Sequence, residues 1–363
     1  MCPTLKPMSD FTKKLIRPDI QALSAYHVAD ASGMIKLDAM ENPYTWDEAM
    51  LREWQAELAN TSVNRYPDPA AQMLSHQIRE QLDLPDSVQL MFGNGSDELI
   101  QIMAMAVAEA GRTVLAPEPS FVMYKMIATF CGMSYRGVPL KTDFSLDLDA
   151  MLSTIEETQA ALVFLAYPNN PTGNLWDREV IDQIIQATPG LVVVDEAYNA
   201  FADDSYLNDL GLYDNLVVMR TFSKMGLAGL RLGLLFGSRD WISEFDKVRL
   251  PYNINTLTQQ TTAFALRHQA VFDQQTANIR AERGKMLDGL KLLPVQVFDS
   301  QANFILLRTP EGKANNIFQG LKDRGILIKN LNPAGGLLKD CLRVTVGKPE
   351  ENAAFMEALA QLV

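Results

Sequence analysis

Between residues 86 and 240, short apolar runs alternate with longer stretches whose apolar positions recur every three or four residues. The runs at 88–92, 113–116, 161–166, 191–194, 216–219 and 232–236 are nearly uninterrupted, the pattern of strands covered on both faces. Stretches such as 97–109 and 178–187 carry helical periodicity between them. This alternation predicts an α/β domain with a mainly parallel central sheet sandwiched by helices. In such sheets ligands gather at the carboxyl ends of the strands, and the motifs below fall there.

The pattern changes near residue 255. A long helical region through His268 and Arg280 is followed by strand-like runs at 296–298, 304–307 and 342–346, which predict a smaller α+β domain. The first forty residues are rich in Pro, Asp and Ser and too irregular to fold alone. The expected organisation is a large domain of residues 40–250 and a small domain built from residues 1–39 with 251–363.

The chain has 363 residues, enough for two domains with ample core, and its 47% hydrophobic and 21% charged content is that of a soluble globular protein. Thirty-two basic against 44 acidic residues give a net charge of -12, which argues against a nucleic-acid partner but not against a small anion in a local pocket. Cys2, Cys131 and Cys341 are isolated, so a reducing cytoplasm is expected. No signal peptide and no run near the roughly 20 apolar residues of a spanning helix is evident. His27, His76 and His268 are scattered, which disfavours a histidine metal site or a catalytic triad.

Four segments carry chemistry. Residues 220–233 (RTFSKMGLAGLRLG) place Lys224 in a small-residue turn directly after an apolar strand. A desolvated lysine there has a lowered pKa and can act as a Schiff-base nucleophile, whereas a lone loop lysine is ordinarily solvated surface. Residues 93–98 (GNGSDE) form a glycine-rich turn opening a helix, which suits a phosphate; Ser96 or Asp97 also suits a simple N-cap. Residues 167–173 (YPNNPTG) make a rigid turn that either holds Asn170 toward a ligand or is an ordinary turn. Residues 192–198 (VVVDEAY) end an apolar strand in Asp195, whose carboxylate must find a partner there or caps a following helix.

Together with 23–26 (LSAY), 37–44 (LDAMENPY), 64–69 (NRYPDP), 300–304 (SQANF) and 341–347 (CLRVTVG), these segments resemble, in order and spacing, the fold-type I enzymes of pyridoxal 5′-phosphate, most closely the histidinol-phosphate aminotransferases. The resemblance runs nearly end to end. It implies the α/β PLP-dependent transferase fold and a Schiff base between Lys224 and the cofactor. Asp195 would pair with the pyridine nitrogen, Asn170 and Tyr198 with the phenolic oxygen, and Ser223, Arg231 and the Ser96–Asp97 turn with the phosphate. Phe121, where the family often has tyrosine, would stack on the ring. Tyr66 would reach the cofactor phosphate of a neighbouring subunit, so a homodimer with shared sites is implied.

For the substrate, Arg343 matches the arginine that pairs with a carboxylate, and Lys329 stands where other members carry arginine. Tyr26 and Asn42 would line the same pocket. The turn from Lys224 to Arg231 is one residue shorter than in many members. The implied reaction is amino transfer between L-histidinol phosphate and 2-oxoglutarate, in histidine biosynthesis. Alternatives on the same fold are an aromatic amino acid aminotransferase and a threonine-phosphate decarboxylase.

Overall fold

In the computed structural model, which describes residues 10–25 and 29–363, thirteen strands occur. They are β1 (Ile35–Lys36), β2 (Val88–Asn94), β3 (Thr113–Glu118), β4 (Ser134–Pro139), β5 (Leu162–Ala166), β6 (Leu191–Asp195), β7 (Leu216–Thr221) and β8 (Leu232–Ser238), then β9 (Gln296–Val297), β10 (Phe304–Arg308), β11 (Ile326–Leu327), β12 (Lys329–Asn330) and β13 (Cys341–Thr345). Each apolar run read from the large-domain sequence is one of them.

The large sheet has the order β2-β8-β7-β6-β5-β3-β4, and only β8 runs against its neighbours. Its central strands β5 and β6 are buried throughout. Successive residues feed opposite faces: Val192 and Val194 join the cluster that holds Ile181, Ile184 and Ile185 of helix Arg178–Ala187, while Leu191 and Val193 join the one that holds Leu99 and Met103 of helix Ser96–Val107. A strand between two helical layers is therefore apolar at every position. Edge strand β4 buries only Val138, so its sequence, Ser-Tyr-Arg-Gly-Val-Pro, gives no apolar run and escapes pattern reading.

The small sheet is antiparallel, in the order β12-β13-β10-β9, and packs on helices Gln269–Leu290, Ala314–Asp323 and Pro349–Ala360. β1 pairs in parallel with β11, which joins residues 35–36 to this region. Two elements cross the expected division. Arg17 donates to the carbonyls of Thr129 and Phe130, tying helix Pro18–Gln21 to helix Met123–Phe130 of the large sheet's outer layer. Helix Thr256–Arg267 lays Phe264 against Trp46, and its Thr261 hydroxyl accepts from Trp54. No described helix is long and apolar enough to cross a membrane.

Candidate active site

Parallel neighbours β5, β6 and β7 end side by side, and each hands the chain to a functional turn. β5 leads through Tyr167 to Asn170, β6 ends in Asp195, and β7 passes into a 3₁₀ turn, Phe222–Lys224. Because β8 runs the other way, the residue before it, Arg231, returns to the same edge; β2, antiparallel to β8 and hence parallel to β7, ends there too with the Gly95–Ser96 turn. Ser96, Asp97, Phe121, Asn170, Asp195, Tyr198, Ser223, Lys224 and Arg231 line one cavity, joined by Met40 and Thr221.

Lys224 extends toward the Tyr198 ring, with Nζ 5.5 Å from its centroid. Burial pushes its pKa down to about 8, with Arg343 and then Arg231 acting in the same direction against Glu41 and Asp97. At neutral pH a useful share of such an amine is neutral. Asp195 is 4% exposed. Burial pushes its carboxyl up to about 6, while hydrogen bonds from the Tyr124 hydroxyl (2.6 Å) and the Ala197 N–H (3.0 Å) pull the other way.

Asn170 links two sides of the cavity. Its Nδ2 donates to the Tyr198 hydroxyl at 3.2 Å, and its Oδ1 accepts from Arg343 Nη1 at 2.5 Å. Arg343 also donates to the Asp38 carbonyl and lies over the Phe304 ring.

Between the β2 and β8 ends is a cradle without side-chain bulk. A Cβ on Gly95 would stand 2.6 Å from Arg231 Nη2, and one on Gly233 would stand 2.7 Å from the Gly95 carbonyl carbon. Arg231 is ion-paired with Asp97 at 3.3 Å, and Asp97 Oδ1 is buried without a hydrogen-bond partner. The short turn after Lys224 closes through a 3₁₀ turn, Ala228–Leu230, with Arg231 in the left-handed region at φ 51°; it brings Arg231 to the cavity rather than away from it.

The sequence profile of the class I and II aminotransferases matches residues 32–359. The chain belongs to that family. Among its relatives, histidinol-phosphate aminotransferase 2 of Nitrosococcus oceani is 56% identical over 96% of this chain and 98% of its own length. The histidinol-phosphate aminotransferase of Chromobacterium violaceum is 51% identical over 96% and 97%. A solved histidinol-phosphate aminotransferase from Sinorhizobium meliloti, in complex with pyridoxal-5′-phosphate, superimposes with a TM-score of 0.85 at 25% identity, covering 96% of this chain and 97% of that one.

Pyridoxal 5′-phosphate is the cofactor of this aminotransferase, and the residues present fit it. A buried carboxylate without an ion-pair partner suits a protonated ring nitrogen, a hydroxyl–amide pair suits a phenolic oxygen, and the glycine cradle beside Arg231 suits a phosphate. Other expected residues lie outside the cavity of the aminotransferase. Lys329 is exposed on β12 and stands opposite Arg343 in the antiparallel register, which puts both on one face of the small sheet. Asn42 sits beneath the Lys224 turn, donating to the Met225 carbonyl and to Gln275. Tyr66 is 81% exposed and stacks on Tyr252 at 4.4 Å, so it is not a core tyrosine. Tyr26 lies outside the described residues.

Sequence reading missed Tyr124, which holds Asp195, and the buried Glu196–Arg220 pair (2.9 Å) behind it. An aromatic three residues after Phe121, in the first turn of helix Met123–Phe130, was the available signal for the first. A charged residue on either side of two apolar strand ends was the signal for the second.

Proposed function

We propose that the chain is a histidinol-phosphate transaminase, a cytoplasmic homodimer exchanging an amino group between L-histidinol phosphate and 2-oxoglutarate. What carries the reading is the convergence of Lys224, Asp195, Asn170, Tyr198 and Arg231 on one cavity beside Arg343. When bound, pyridoxal 5′-phosphate supplies an electron sink and a carbon that carries the amino group between the two substrates.

The chain's own groups do the rest. Lys224 would anchor the cofactor, and its Nζ, when free and neutral, would serve as the base that takes the proton from the amine-bearing substrate carbon and, as acid, delivers it to the cofactor carbon that receives the amino group. Asp195, as a carboxylate, would hold the ring nitrogen. Tyr198 and Asn170 would orient the phenolic oxygen, Phe121 would cover the ring face, and Ser96, Ser223 and Arg231 would hold the phosphate, with Asp97 fixing the Arg231 guanidinium. Arg343 offers its planar fork to the carboxylate of glutamate or 2-oxoglutarate. Lys329, on the same face, supplies charge for the phosphate of histidinol phosphate; Asn42 supports the pocket through the Met225 carbonyl, and Tyr26 completes it. Tyr66, held outward by Tyr252, reaches the phosphate site of a second copy.

The test mixes cofactor-loaded protein separately with histidinol phosphate, phenylalanine and threonine phosphate and follows the absorbance change of the half-reaction. Histidinol phosphate should react fastest. A faster reaction with phenylalanine reverses the assignment, and carbon dioxide release from threonine phosphate replaces transamination with decarboxylation.

A further inference from the structure

Among the described residues no ion pair joins Asp195 to a cation. Arg231, which lines the same cavity, pairs with Asp97, and Arg220 of the next strand pairs with Glu196. What touches Asp195 is the Ala197 N–H on Oδ1 and the Tyr124 hydroxyl on Oδ2.

We propose that Tyr124 is a positioning residue for the cofactor's ring-nitrogen site: its hydroxyl fixes the orientation of the Asp195 carboxylate and keeps it ionised. The inference rests on Asp195 facing the ring nitrogen.

Tyr124 is suited to this task by its surroundings. It is 1% exposed, stacked on Phe164 at 4.6 Å and 9°, and edge-on to Phe121 at 5.5 Å and 84°. Two flanking rings leave its hydroxyl little freedom, so the direction of the hydrogen bond is set by packing. Burial and the neighbouring Asp195 push the phenol's own pKa well up, which keeps it a donor. A carboxylate has about four lone-pair directions, and the two fixed donors leave the others for a ring N–H.

Without the Tyr124 hydroxyl, the balance at Asp195 tips toward the acid form. Burial favours the neutral carboxyl, and Asp97 and Glu196 add repulsion to its charge. A neutral acid cannot stabilise a protonated ring. The ionisable groups that act on the pair are Asp97, Glu196, Tyr135 and Tyr198; the last two act on Tyr124. Phe121, three residues earlier, lines the cofactor cavity, so one short segment sets both the ring face and the ring-nitrogen acid.

The test measures the equilibrium dissociation constant of pyridoxal 5′-phosphate for the parent, Tyr124→Phe and Asp195→Asn from pH 6 to 9. Each pKa unit gained by Asp195 is a factor of about ten in its ionised fraction on the acid side. With Asp195 at about 6 in the parent, a rise of about one unit should therefore make Tyr124→Phe bind about threefold more weakly than the parent at pH 6.5, about fivefold at pH 6, and about equally at pH 9. Equal weakening at every pH marks a packing role and overturns the proposal, as does unchanged affinity. Asp195→Asn separates the two ideas: if it keeps the parent's affinity and pH profile, the ring-nitrogen reading itself is wrong.

If Tyr124→Phe does not fold, infrared difference spectra of the cofactor-free parent against Asp195→Asn decide instead. The Asp195 carboxylic acid band should appear only as pH falls through about 6. A band already present at pH 8 overturns the proposal.

Discussion

At the scale of single residues, the site is governed by charges that burial makes costly. Lys224 binds its proton more weakly in the folded, cofactor-free chain, at about 8, than at its ordinary 10.5. Between those values the unfolded chain holds more protons, so raising the pH through that window stabilises the fold; below it the full cost is present. Lys224→Met should thus make the cofactor-free chain more stable than the parent at pH 7, by on the order of 2 kcal/mol after allowing for partial exposure, with the gap closing toward pH 10.5. Urea denaturation at several pH values measures it, and a constant gap refutes it.

Arg220 and Glu196 illustrate the same cost with opposite sign. Their side chains are 13% and 1% exposed. Arg220→Met leaves Glu196 buried without its cation and should cost about 3–5 kcal/mol of unfolding free energy. Adding Glu196→Gln should recover much of that loss, and a double variant no better than the single one contradicts the account.

At the scale of elements, the cradle depends on two glycines with different neighbours. Gly95 has φ +83°, and the atom its Cβ would meet is the end of the Arg231 side chain; Gly233 would meet backbone. A side chain can swing aside and a sheet cannot. Gly95→Ala should lose about 1–3 kcal/mol to backbone strain and weaken competition by inorganic phosphate for the cofactor site. Gly233→Ala should lower the melting temperature more, and the reverse order would show that the cradle is not set by this packing.

Elements also explain what was legible in the sequence. β5, β6 and β7 are apolar at nearly every position because helices cover both faces, so their ends, and the motifs on them, could be placed from the chain alone. β4 was invisible because an edge strand buries little. Tyr124 went unread because no motif contains it, and only the fold reveals that β6 ends against its hydroxyl. Lys329 could be matched by position, but its standing opposite Arg343 depends on a strand pairing that no local pattern encodes.

At the scale of the whole molecule, the exposed Tyr66 is the feature that one copy leaves unexplained. If it completes a partner's site, Tyr66→Ala and Lys224→Ala are each defective, yet mixing them under exchange should restore up to about a quarter of parental activity, since half the dimers then hold one intact site of two. Activity no greater than the average of the separate variants would mean that Tyr66 serves no partner's site, because it acts within its own copy or because the copies do not pair. The same experiment reports the homodimer itself, because no restoration occurs between monomers.

The Asn170 amide, between Tyr198 and Arg343, joins two bodies of the molecule that otherwise carry separate duties. The residues proposed to hold the cofactor lie on the turns of the seven-stranded sheet, whereas Arg343 rides on β13 of the smaller one. A ligand that fills only the first set clamps one body; a dicarboxylate that also engages Arg343 spans both. Amide exchange should therefore slow around β6 and β7 when the cofactor binds, and around β10 and β13 only when a dicarboxylate follows. The amide would then work as a latch that reports, from one half of the enzyme to the other, that a carboxylate has arrived.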